Sequence, residues 1–474
     1  NKNLEYPDYA GVRMSYRFMF EFFTASLIAG GMPVRETLLF LGITLSMVVF
    51  VLFYFLARQI TQNKTIAIIA LVLYTFAGGL GFIYFLEDLQ SGKAQLLGMP
   101  DYTHYPDKKI FFSNQIATLI LPQRSFLIGF PAAFIVFAIL WRWFNRKAGA
   151  RELIFGALIT GLLPFFHLHT FFSVGFVSVF LLAVEMIRDF KKHKKLDKNR
   201  LKLWLWFFLL VGILSIPQIV FSLSGLTSKI GKGFFEFMGG WLSQNQNLLI
   251  FWALNLGTLF ILWIPAFIFG DRKLRIFYIP FFGLFVLSNL LKFQPWDFDN
   301  LKIFYMWLSI HSILIATLVY RIFNKNKIMA IFIILLSIFS GILAVISEAQ
   351  TSYRLYGYTE VELGVWVREN IPKDAVFITH TGHDSFIPGI GGRKIFLGYD
   401  GWLWSRGIDY GERQEAIKKM YLGGQEAFNL LEKYGIDYVV IGPTERAIFY
   451  ANETFFDSNF PIVKEYNGYK IYEV

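Results

Sequence analysis

The sequence predicts an α-helical polytopic membrane bundle of about ten transmembrane helices, followed by a C-terminal extracytoplasmic α/β domain. Composition is the first reason: of 474 residues, 55% are hydrophobic and only 17% are charged, whereas soluble domains carry about 25% charge. The second reason is that several apolar runs reach the roughly 20 residues that cross a bilayer. The third is the division of charge, because residues 348–474 hold 13 Lys/Arg and 18 Asp/Glu while the remainder holds 32 and 16.

The apolar runs are continuous, which favours helices over the alternating segments of a membrane barrel. The 35 residues of 153–187 are too many for one span, and Pro164 is expected to break them into two helices. The chain is therefore divided into a membrane part, 1–347, and a soluble part, 348–474. The ten predicted spans are 37–57, 65–86, 116–142, 153–165, 169–187, 203–221, 248–269, 276–291, 301–321 and 328–347.

Four loops between these spans are rich in Lys and Arg, and ten spans place all four on one side. Such loops face the cytoplasm, so the protein is expected in the cell membrane with residues 348–474 on the extracytoplasmic side. The four loops are 141–147, 188–202, 271–275 and 321–327.

Residues 348–474 alternate between helical and strand patterns. Helices are expected at 361–370 and at 412–434, the second interrupted at Gly423–Gly424, and strands at 375–379, 394–398 and 438–442. Asn467–Gly468 between two short apolar runs is a strong signal for a two-residue β-hairpin turn. The pattern predicts one small α/β domain.

The chain has no cysteine, which excludes disulfides, Cys-ligated zinc, iron–sulfur clusters and a thiol nucleophile. It begins at Asn1 without a signal peptide before the first helix, so an upstream segment is expected to be missing. Nucleic-acid binding is not expected, because no basic stripe lies on a soluble face.

Residues 294–302 form the densest polar cluster beside the predicted spans, on the side opposite the basic loops. Asp297 and Asp299, with an amide and a lysine nearby, can hold a divalent metal ion such as Mg²⁺ or Mn²⁺, a phosphate or a sugar. Alternatively, the segment is a capped turn, with Asp299 or Asn300 as N-cap of the next helix and Trp296 as interfacial anchor. The expected substrate-binding residues of the loop are Gln294, Trp296, Asn300 and Lys302.

Two further polar groups are expected on the same side. Gln123 and Arg124 precede a span, and the guanidinium can bind a phosphate or carboxylate, or extend to lipid headgroups. His167 and His169 lie at the predicted helix break, where they line a polar cavity, bind a metal ion together with the Asp cluster, or hydrogen-bond to the backbone. In the tail, residues 380–385 (His-Thr-Gly-His-Asp-Ser) follow a strand without a spacing specific for catalysis.

Several segments resemble membrane glycosyltransferases of the GT-C class, which includes protein mannosyltransferases and oligosaccharyltransferases, and most closely uncharacterised bacterial and archaeal members. The order of the segments and their shared side carry this resemblance. They are Tyr6-Pro7-Asp8 with Tyr16 and Phe18, then 121–125 (LPQRS), 163–169 (LPFFHLH), 294–300 (QPWDFDN) and 398–402 (GYDGW).

The resemblance implies inverting transfer of a sugar from a polyprenyl-phosphate donor to a glycan, lipid or protein acceptor on the extracytoplasmic face. The usual catalytic carboxylate of the class follows the first span, which is absent from this chain, so Asp8 is the nearest candidate beside Asp297 and Asp299. A carboxylate would deprotonate the acceptor hydroxyl, and a metal ion or Arg124 with Lys302 would stabilise the leaving phosphate. The alternatives are a transporter, for which paired repeats with broken helices are expected, and a non-catalytic scaffold for assembly of envelope polysaccharide.

Overall fold

The computed structural model describes residues 4–15, 18–93, 98–223 and 236–474. Tyr16 and parts of the loops 87–115 and 222–247 lie outside these ranges. The described residues form two units: a membrane unit of residues 18–220 and 236–351, and a C-terminal unit of residues 4–15, 221–223 and 352–474.

The helices and strands are numbered in chain order. Those before residue 352 are β1 (Glu5–Tyr6), β2 (Tyr9–Arg13), α1 (Met19–Ala29), α2 (Val34–Thr61), α3 (Lys64–Thr75), α4 (Phe82–Gln90), α5 (Phe126–Phe144), α6 (Ala150–Leu162), α7 (Leu168–His193), α8 (Lys198–Leu223), β3 (Glu236–Phe237), α9 (Leu248–Leu256), α10 (Thr258–Ile261), α11 (Trp263–Phe269), α12 (Arg272–Leu290), β4 (Leu291–Lys292), α13 (Leu301–Lys325) and α14 (Lys327–Gln350). Those after it are α15 (Tyr358–Asn370), β5 (Val376–Ile378), α16 (Phe386–Gly389), β6 (Lys394–Ile395), α17 (Asp400–Ser405), α18 (Gly411–Leu422), α19 (Gln425–Tyr434), β7 (Tyr438–Ile441), α20 (Pro443–Phe449), α21 (Glu453–Asn459), β8 (Ile462–Tyr466) and β9 (Tyr469–Glu473).

Seven helices among the described residues are long and apolar enough to cross a membrane: α2, α5, α7, α8, α12, α13 and α14. The protein is therefore a multi-pass helical membrane protein. An eighth span results if α9 and the helices α10 and α11 are counted together, although the chain bends by 120° between them. The expected count of about ten is not confirmed, because three predicted spans are short or broken.

Two of these differences arise where glycines break helices. The predicted span 65–86 ends at Thr75 and resumes at Phe82, and Gly79 between them has φ +65. The span 248–269 breaks at Gly257, which has φ +57. A Cβ on Gly257 would lie 3.2 Å from the carbonyl carbon of Gly79, so the two breaks meet. Left-handed backbone without a Cβ permits this contact, and the apolar run alone does not reveal it.

The third difference is α6, which has 13 residues. It ends at Leu162, a 3₁₀ turn containing Pro164 follows, and α7 begins at Leu168. The predicted break at Pro164 is thus confirmed, and α7 is the longer of the two helices that it separates.

The four basic loops lie at one end of the membrane unit. Arg146 in the first forms an ion pair with Asp189, beside the second, at 3.0 Å. Arg321 in the fourth donates to the carbonyl of Phe269, which precedes the third. Trp141 at the first loop packs on Phe277, just after the third loop, with 5.1 Å between the ring centroids. The first and second loops therefore lie beside the third and fourth. The arrangement agrees with the prediction that all four loops share a side.

The C-terminal unit contains a five-stranded sheet in the order β6-β5-β7-β9-β8. Strand β5 is parallel to β6 and β7, whereas β9 runs antiparallel to β7 and β8. Alternate residues of β7 belong to two cores, with Val439 in the core beside α18 and α19 and Val440 in the core beside α15. The predicted Asn467–Gly468 hairpin turn and the helix interruption at Gly423–Gly424 are both confirmed.

Residues 4–15 group with the C-terminal unit, whereas the sequence suggested that they belong to the membrane part. The carbonyl oxygens of Pro7 and Asp8 accept hydrogen bonds from the backbone N–H groups of Ile395 and Gly398, each at 2.8 Å. The Tyr9 hydroxyl donates to the carbonyl of Asp409 at 2.9 Å. The N-terminal strand pair is therefore part of the fold of the C-terminal unit.

Candidate active site

The polar loop that the sequence singled out lies at the end of the membrane unit opposite the basic loops. The loop follows α12 and begins with β4, which pairs antiparallel with β3. It ends in a 3₁₀ turn at Asp297–Asn300, directly before α13. The indole N–H of Trp241 donates to the carbonyl of Asp297 at 2.9 Å. The strand pair and this hydrogen bond fix the position of the turn.

Each carboxylate of the turn has a lysine partner. Lys302 Nζ lies 3.0 Å from Asp299 Oδ1, and Lys292 Nζ lies 3.2 Å from Asp297 Oδ1. Lys292 also contacts the Glu236 carboxylate at 2.9 Å. Two carboxylates this close would otherwise repel each other, so the two lysines make the pair compatible with a folded loop. We call Lys292, Asp297, Asp299 and Lys302 the loop cluster.

The members of the loop cluster differ in exposure. The Asp297 side chain is 46% exposed and that of Asp299 19%, whereas Lys292 and Lys302 are 15% and 11% exposed. The hydrogen bond to Glu236 is the largest cause of a raised Lys292 pKa; Asp297 adds to this effect, and desolvation opposes it. The site thus combines two cations that are largely withdrawn from water with an accessible carboxylate.

The loop meets the predicted histidine tip through Gln294. Gln294 Nε2 lies 3.5 Å from His169 Nδ1, and both residues line a pocket of about 200 Å³. The other lining residues are Leu168, Phe171, Phe172, Phe293 and Ile303. Trp296, two positions after Gln294 in the loop, is 48% exposed. The arrangement offers a mainly apolar pocket with two polar groups at its edge.

Asn300 is buried and hydrogen-bonded to the backbone near the end of α12. It is 1% exposed, and its amide donates to the carbonyls of Ser288 and Leu291 at 2.9 and 2.7 Å. It occupies the N-cap position of α13 without a capping hydrogen bond from its side chain. Asn300 therefore joins the end of α12 to the start of α13, a role that differs from the capped-turn alternative.

His167 lies inside the helix bundle. It is 2% exposed, and its Nδ1 lies 2.7 Å from Thr170 Oγ1. The ring packs on Phe126 and Phe130, with centroids 6.5 and 6.0 Å away. A Cβ on Gly129 would lie 2.6 Å from the Cβ of His167, which indicates close packing of α5 against the start of α7.

Arg124 lies at a second pocket, of about 240 Å³, formed by α1, α2 and the approach to α5. The lining is apolar apart from Arg124 and Ser46. Gln123 beside it donates to the carbonyl of Thr118 at 3.3 Å. Arg124 thus lines a different pocket from Gln294 and His169.

Asp8 belongs to the C-terminal unit. Its carboxylate is paired with Arg406 at 2.7 Å and the residue is 7% exposed. The second carboxylate oxygen, Oδ1, is buried without a hydrogen-bond partner among the described residues. The ion pair ties the N-terminal segment to the helix α17 region.

Three residues of the site escaped the sequence analysis: Lys292, Glu236 and His104. Lys292 stands only five positions before Asp297, and a search for compensating charge near the acidic pair would have found it. His104 packs on Phe298 at 5.1 Å between ring centroids, a contact without a local sequence signal. Desolvation lowers the His104 pKa, and Asp101 opposes this shift in part, so the neutral ring predominates at pH 7.

The described residues do not fit a divalent metal ion. They contain no group of three or more His, Asp or Glu side chains close enough to hold one. In the loop cluster, each carboxylate already faces an ammonium group, and such a pairing disfavours a further cation. We therefore derive no step through a metal.

Comparison with solved structures identifies the fold. ArnT from Cupriavidus metallidurans, bound to undecaprenyl phosphate, matches with a TM-score of 0.54 and 7% identity, over 99% of this chain and 90% of that protein. The Archaeoglobus fulgidus oligosaccharyltransferase in complex with Zn and sulfate matches with a TM-score of 0.53 and 16% identity, over 93% of this chain. The chain has the GT-C fold.

The chain spans 60% of the length of that archaeal oligosaccharyltransferase. No protein-family model matches the sequence, and no curated protein matches it. The GT-C resemblance of the sequence motifs is therefore confirmed at the level of the fold, through proteins that are very distant in sequence.

Proposed function

We propose that this GT-C-fold protein is a membrane glycosyltransferase that transfers a sugar from a polyprenyl-phosphate donor to an acceptor hydroxyl or amide on the extracytoplasmic face. The observation that carries the proposal is the loop cluster, in which two aspartates and two shielded lysines meet at one end of a GT-C-fold helix bundle. A passive scaffold has no need to hold an accessible carboxylate beside two desolvated cations.

The cluster supplies both charges that such a transfer needs. The donor phosphate replaces Asp297 as the partner of Lys292 and also contacts Lys302, and the two ammonium groups stabilise the negative charge that develops on the leaving oxygen. The carboxylate that is released accepts the proton of the acceptor. Asp297 is assigned this role because its side chain is the more exposed of the two. Asp299 holds Lys302 in position.

The transfer is a direct displacement at the anomeric carbon. The acceptor oxygen or nitrogen forms a bond to this carbon as the bond to the phosphate oxygen breaks, so the configuration inverts. The phosphate leaves with the bonding electron pair, and the acceptor proton moves to Asp297. The pocket beside Gln294 and His169, with Trp296 in the adjoining loop, is assigned to the sugar, since aromatic faces and amides suit a pyranose ring.

The polyprenyl part of the donor is assigned to the region around Arg124. Apart from Arg124 and Ser46 the pocket there is lined by apolar side chains, which suits the apolar chain of a donor whose phosphate is held by Lys292 and Lys302. Gln123 adds an amide beside it. Asp8, paired and largely buried, is left out of the chemical step.

Single substitutions in the loop test the proposal. Asp297→Asn in the full-length protein, in nanodiscs, should lower kcat for transfer from undecaprenyl- or dolichyl-phosphate sugars by about 10²–10⁴-fold, the range of general-base catalysis. Asp299→Asn should lower it less, because it acts through Lys302. Asp107→Asn removes an exposed carboxylate from another loop at the same end and should leave turnover unchanged.

Thermal unfolding of the same samples separates chemistry from folding. Asp297→Asn should unfold like the parent, because its carboxylate is 46% exposed and exposed ion pairs contribute at most about 1 kcal/mol. Asp299→Asn should lose more stability, because its pair with Lys302 is only 19% and 11% exposed. Full turnover in both variants would remove the loop from the mechanism, and absence of transfer by the parent from every donor would count against the transferase itself.

The orientation rests on the four basic loops and has a separate test. Because the chain has no native cysteine, Lys195→Cys, Asp107→Cys and Asp400→Cys each introduce one exposed thiol. An impermeant thiol reagent added to intact cells should label the variants at positions 107 and 400 and should not label the one at 195. Labelling at 195 with protection at 107 would reverse the orientation.

A further inference from the structure

The surface around α17 in the C-terminal unit exposes large aromatic side chains. Leu403 of this six-residue helix is fully buried in the core, whereas Trp402 beside it is 44% exposed. The helix is therefore anchored by Leu403 and presents Trp402 to solvent. An exposed tryptophan contributes little to folding, so its environment indicates what it can bind.

Trp402 is part of a cluster of three rings. Its ring centroid lies 5.7 Å from that of Tyr399 and 6.3 Å from that of His383. His383 and Tyr399 are 5.6 Å apart, and all three pairs are steeply inclined. Edge-to-face packing holds the rings at fixed angles, so the cluster is a shaped aromatic surface.

Two carboxylates stand next to residues of the ring cluster in the chain. Asp384 follows His383 in the chain and its side chain is 51% exposed. Asp400 follows Tyr399 and is exposed. Asp400 also contributes, after desolvation, to a raised pKa of Tyr410. These two exposed carboxylates can accept hydrogen bonds and carry negative charge.

Arg406 supports the cluster from the protein side. Its guanidinium carbon lies 5.9 Å from the Trp402 ring and 5.1 Å from the Tyr6 ring. The ion pair with Asp8 at 2.7 Å holds the guanidinium in place. Because the Arg406 guanidinium is already paired with Asp8, it does not bind an anionic ligand. Its contact with the Trp402 ring holds that ring in position before any ligand binds.

We propose that His383, Asp384, Tyr399, Asp400 and Trp402 form a binding site for a neutral carbohydrate. The apolar C–H face of a pyranose ring covers the Trp402 face, and sugar hydroxyls donate hydrogen bonds to Asp384 and Asp400. The inclined rings of Tyr399 and His383 border the sugar and restrict its orientation. Such binding goes beyond the proposed transfer reaction and does not depend on it.

A membrane surface is the other class of partner that exposed tryptophans serve. The charges at this site favour the sugar, because Asp384 and Asp400 repel anionic headgroups. The nearby cation, Arg406, is engaged by Asp8. A hydroxyl-rich neutral ligand gains from the carboxylates, whereas an anionic lipid or a phosphate does not.

Saturation-transfer NMR on the full chain in nanodiscs tests the site, with mannotetraose, chitotetraose and cellotetraose as probes. At least one probe should bind saturably, and Trp402→Ala should weaken it about tenfold, the upper range for a single aromatic contact. Trp402→Phe should recover part of the loss. Trp404→Ala removes a tryptophan of the same helix that is 45% exposed and lies outside the ring cluster, and it should bind like the parent.

Two further measurements decide between outcomes. Asp297→Asn, which is designed to stop transfer, should bind the probe unchanged, so the failure of one proposal leaves the other standing. Absence of saturable binding by all three probes, or equal losses in Trp402→Ala and Trp404→Ala, would overturn the site. Spin-labelled lipids that quench a fluorescence component lost in Trp402→Phe would overturn it in favour of membrane contact.

Discussion

Two clusters of the membrane unit pair carboxylates with cations, the loop cluster and one around helix α7, and they differ in exposure and in the number of donors around each carboxylate. His169 near the start of α7 contacts Gln294, which belongs to the same loop as the loop cluster, and Glu185, sixteen residues later, lies about 24 Å further along the helix. Glu185 anchors what we call the buried cluster, which comprises Trp143, Glu185, Arg200 and Trp204. Both clusters pair carboxylates with cations within one helix bundle.

The carboxylate of the buried cluster accepts hydrogen bonds from three side chains. Glu185 accepts hydrogen bonds from the indole N–H groups of Trp143 and Trp204 at 3.1 and 3.0 Å, and from Arg200. Its side chain is 5% exposed and that of Arg200 12%. The Arg200 guanidinium carbon also lies 3.7 Å from the centroid of the Trp143 ring. This carboxylate has no face left for a ligand.

The loop cluster leaves its carboxylates open. Asp297 has one lysine partner and is 46% exposed, so a ligand can displace the lysine at modest cost. An ion pair near the membrane is therefore a poor guide to function by itself. The number of donors around the carboxylate and its exposure distinguish a structural pair from a reactive one.

Removal of Glu185 should produce the largest effect on stability. Glu185→Ala leaves Arg200 buried without its carboxylate and two indole N–H groups without an acceptor, so we expect a loss of about 3–5 kcal/mol. Thermal unfolding in detergent, followed by intrinsic fluorescence, measures it. Glu152→Ala is the matched control, since it breaks an exposed pair with Arg142 and a hydrogen bond from the Gly149 N–H at the start of α6, and it should cost at most about 2 kcal/mol. Equal unfolding temperatures for the two variants would erase the contrast between the clusters.

Asn300→Ala should have a smaller effect on stability. It separates the structural residue of the loop from the residue that is proposed to take part in transfer. The change leaves the carbonyls of Ser288 and Leu291 without their buried donor, so we expect a loss of about 1–3 kcal/mol. Asp297→Asn, three positions earlier, should lose turnover and retain stability. Unfolding and transfer are measured on both variants, and we expect Asn300→Ala to lose stability and Asp297→Asn to lose turnover. If Asn300→Ala keeps parental stability, the structural role assigned to it is wrong.

Much of the fold follows from local patterns. Apolar runs predicted the long helices, Pro164 predicted the break before α7, and Asn467–Gly468 predicted the hairpin between β8 and β9. The acidic loop 294–302 was also recognisable as a candidate site from its composition alone. These features depend on backbone preferences and on burial of apolar side chains over one or two turns, which neighbouring residues specify.

The tertiary structure decided what the local patterns left open. Only the pairing of β3 with β4 brings Glu236 to Lys292, and only packing of distant loops brings His104 to Phe298. The helix breaks at Gly79 and Gly257 need each other, and the position of Asp8 beside Arg406 needs the N-terminal strands on the C-terminal unit. Sequence alone determined where the long helices lie and where polar residues concentrate. Contacts between segments far apart in the chain determined which of those residues share a site, because such contacts depend on the packing of the whole fold.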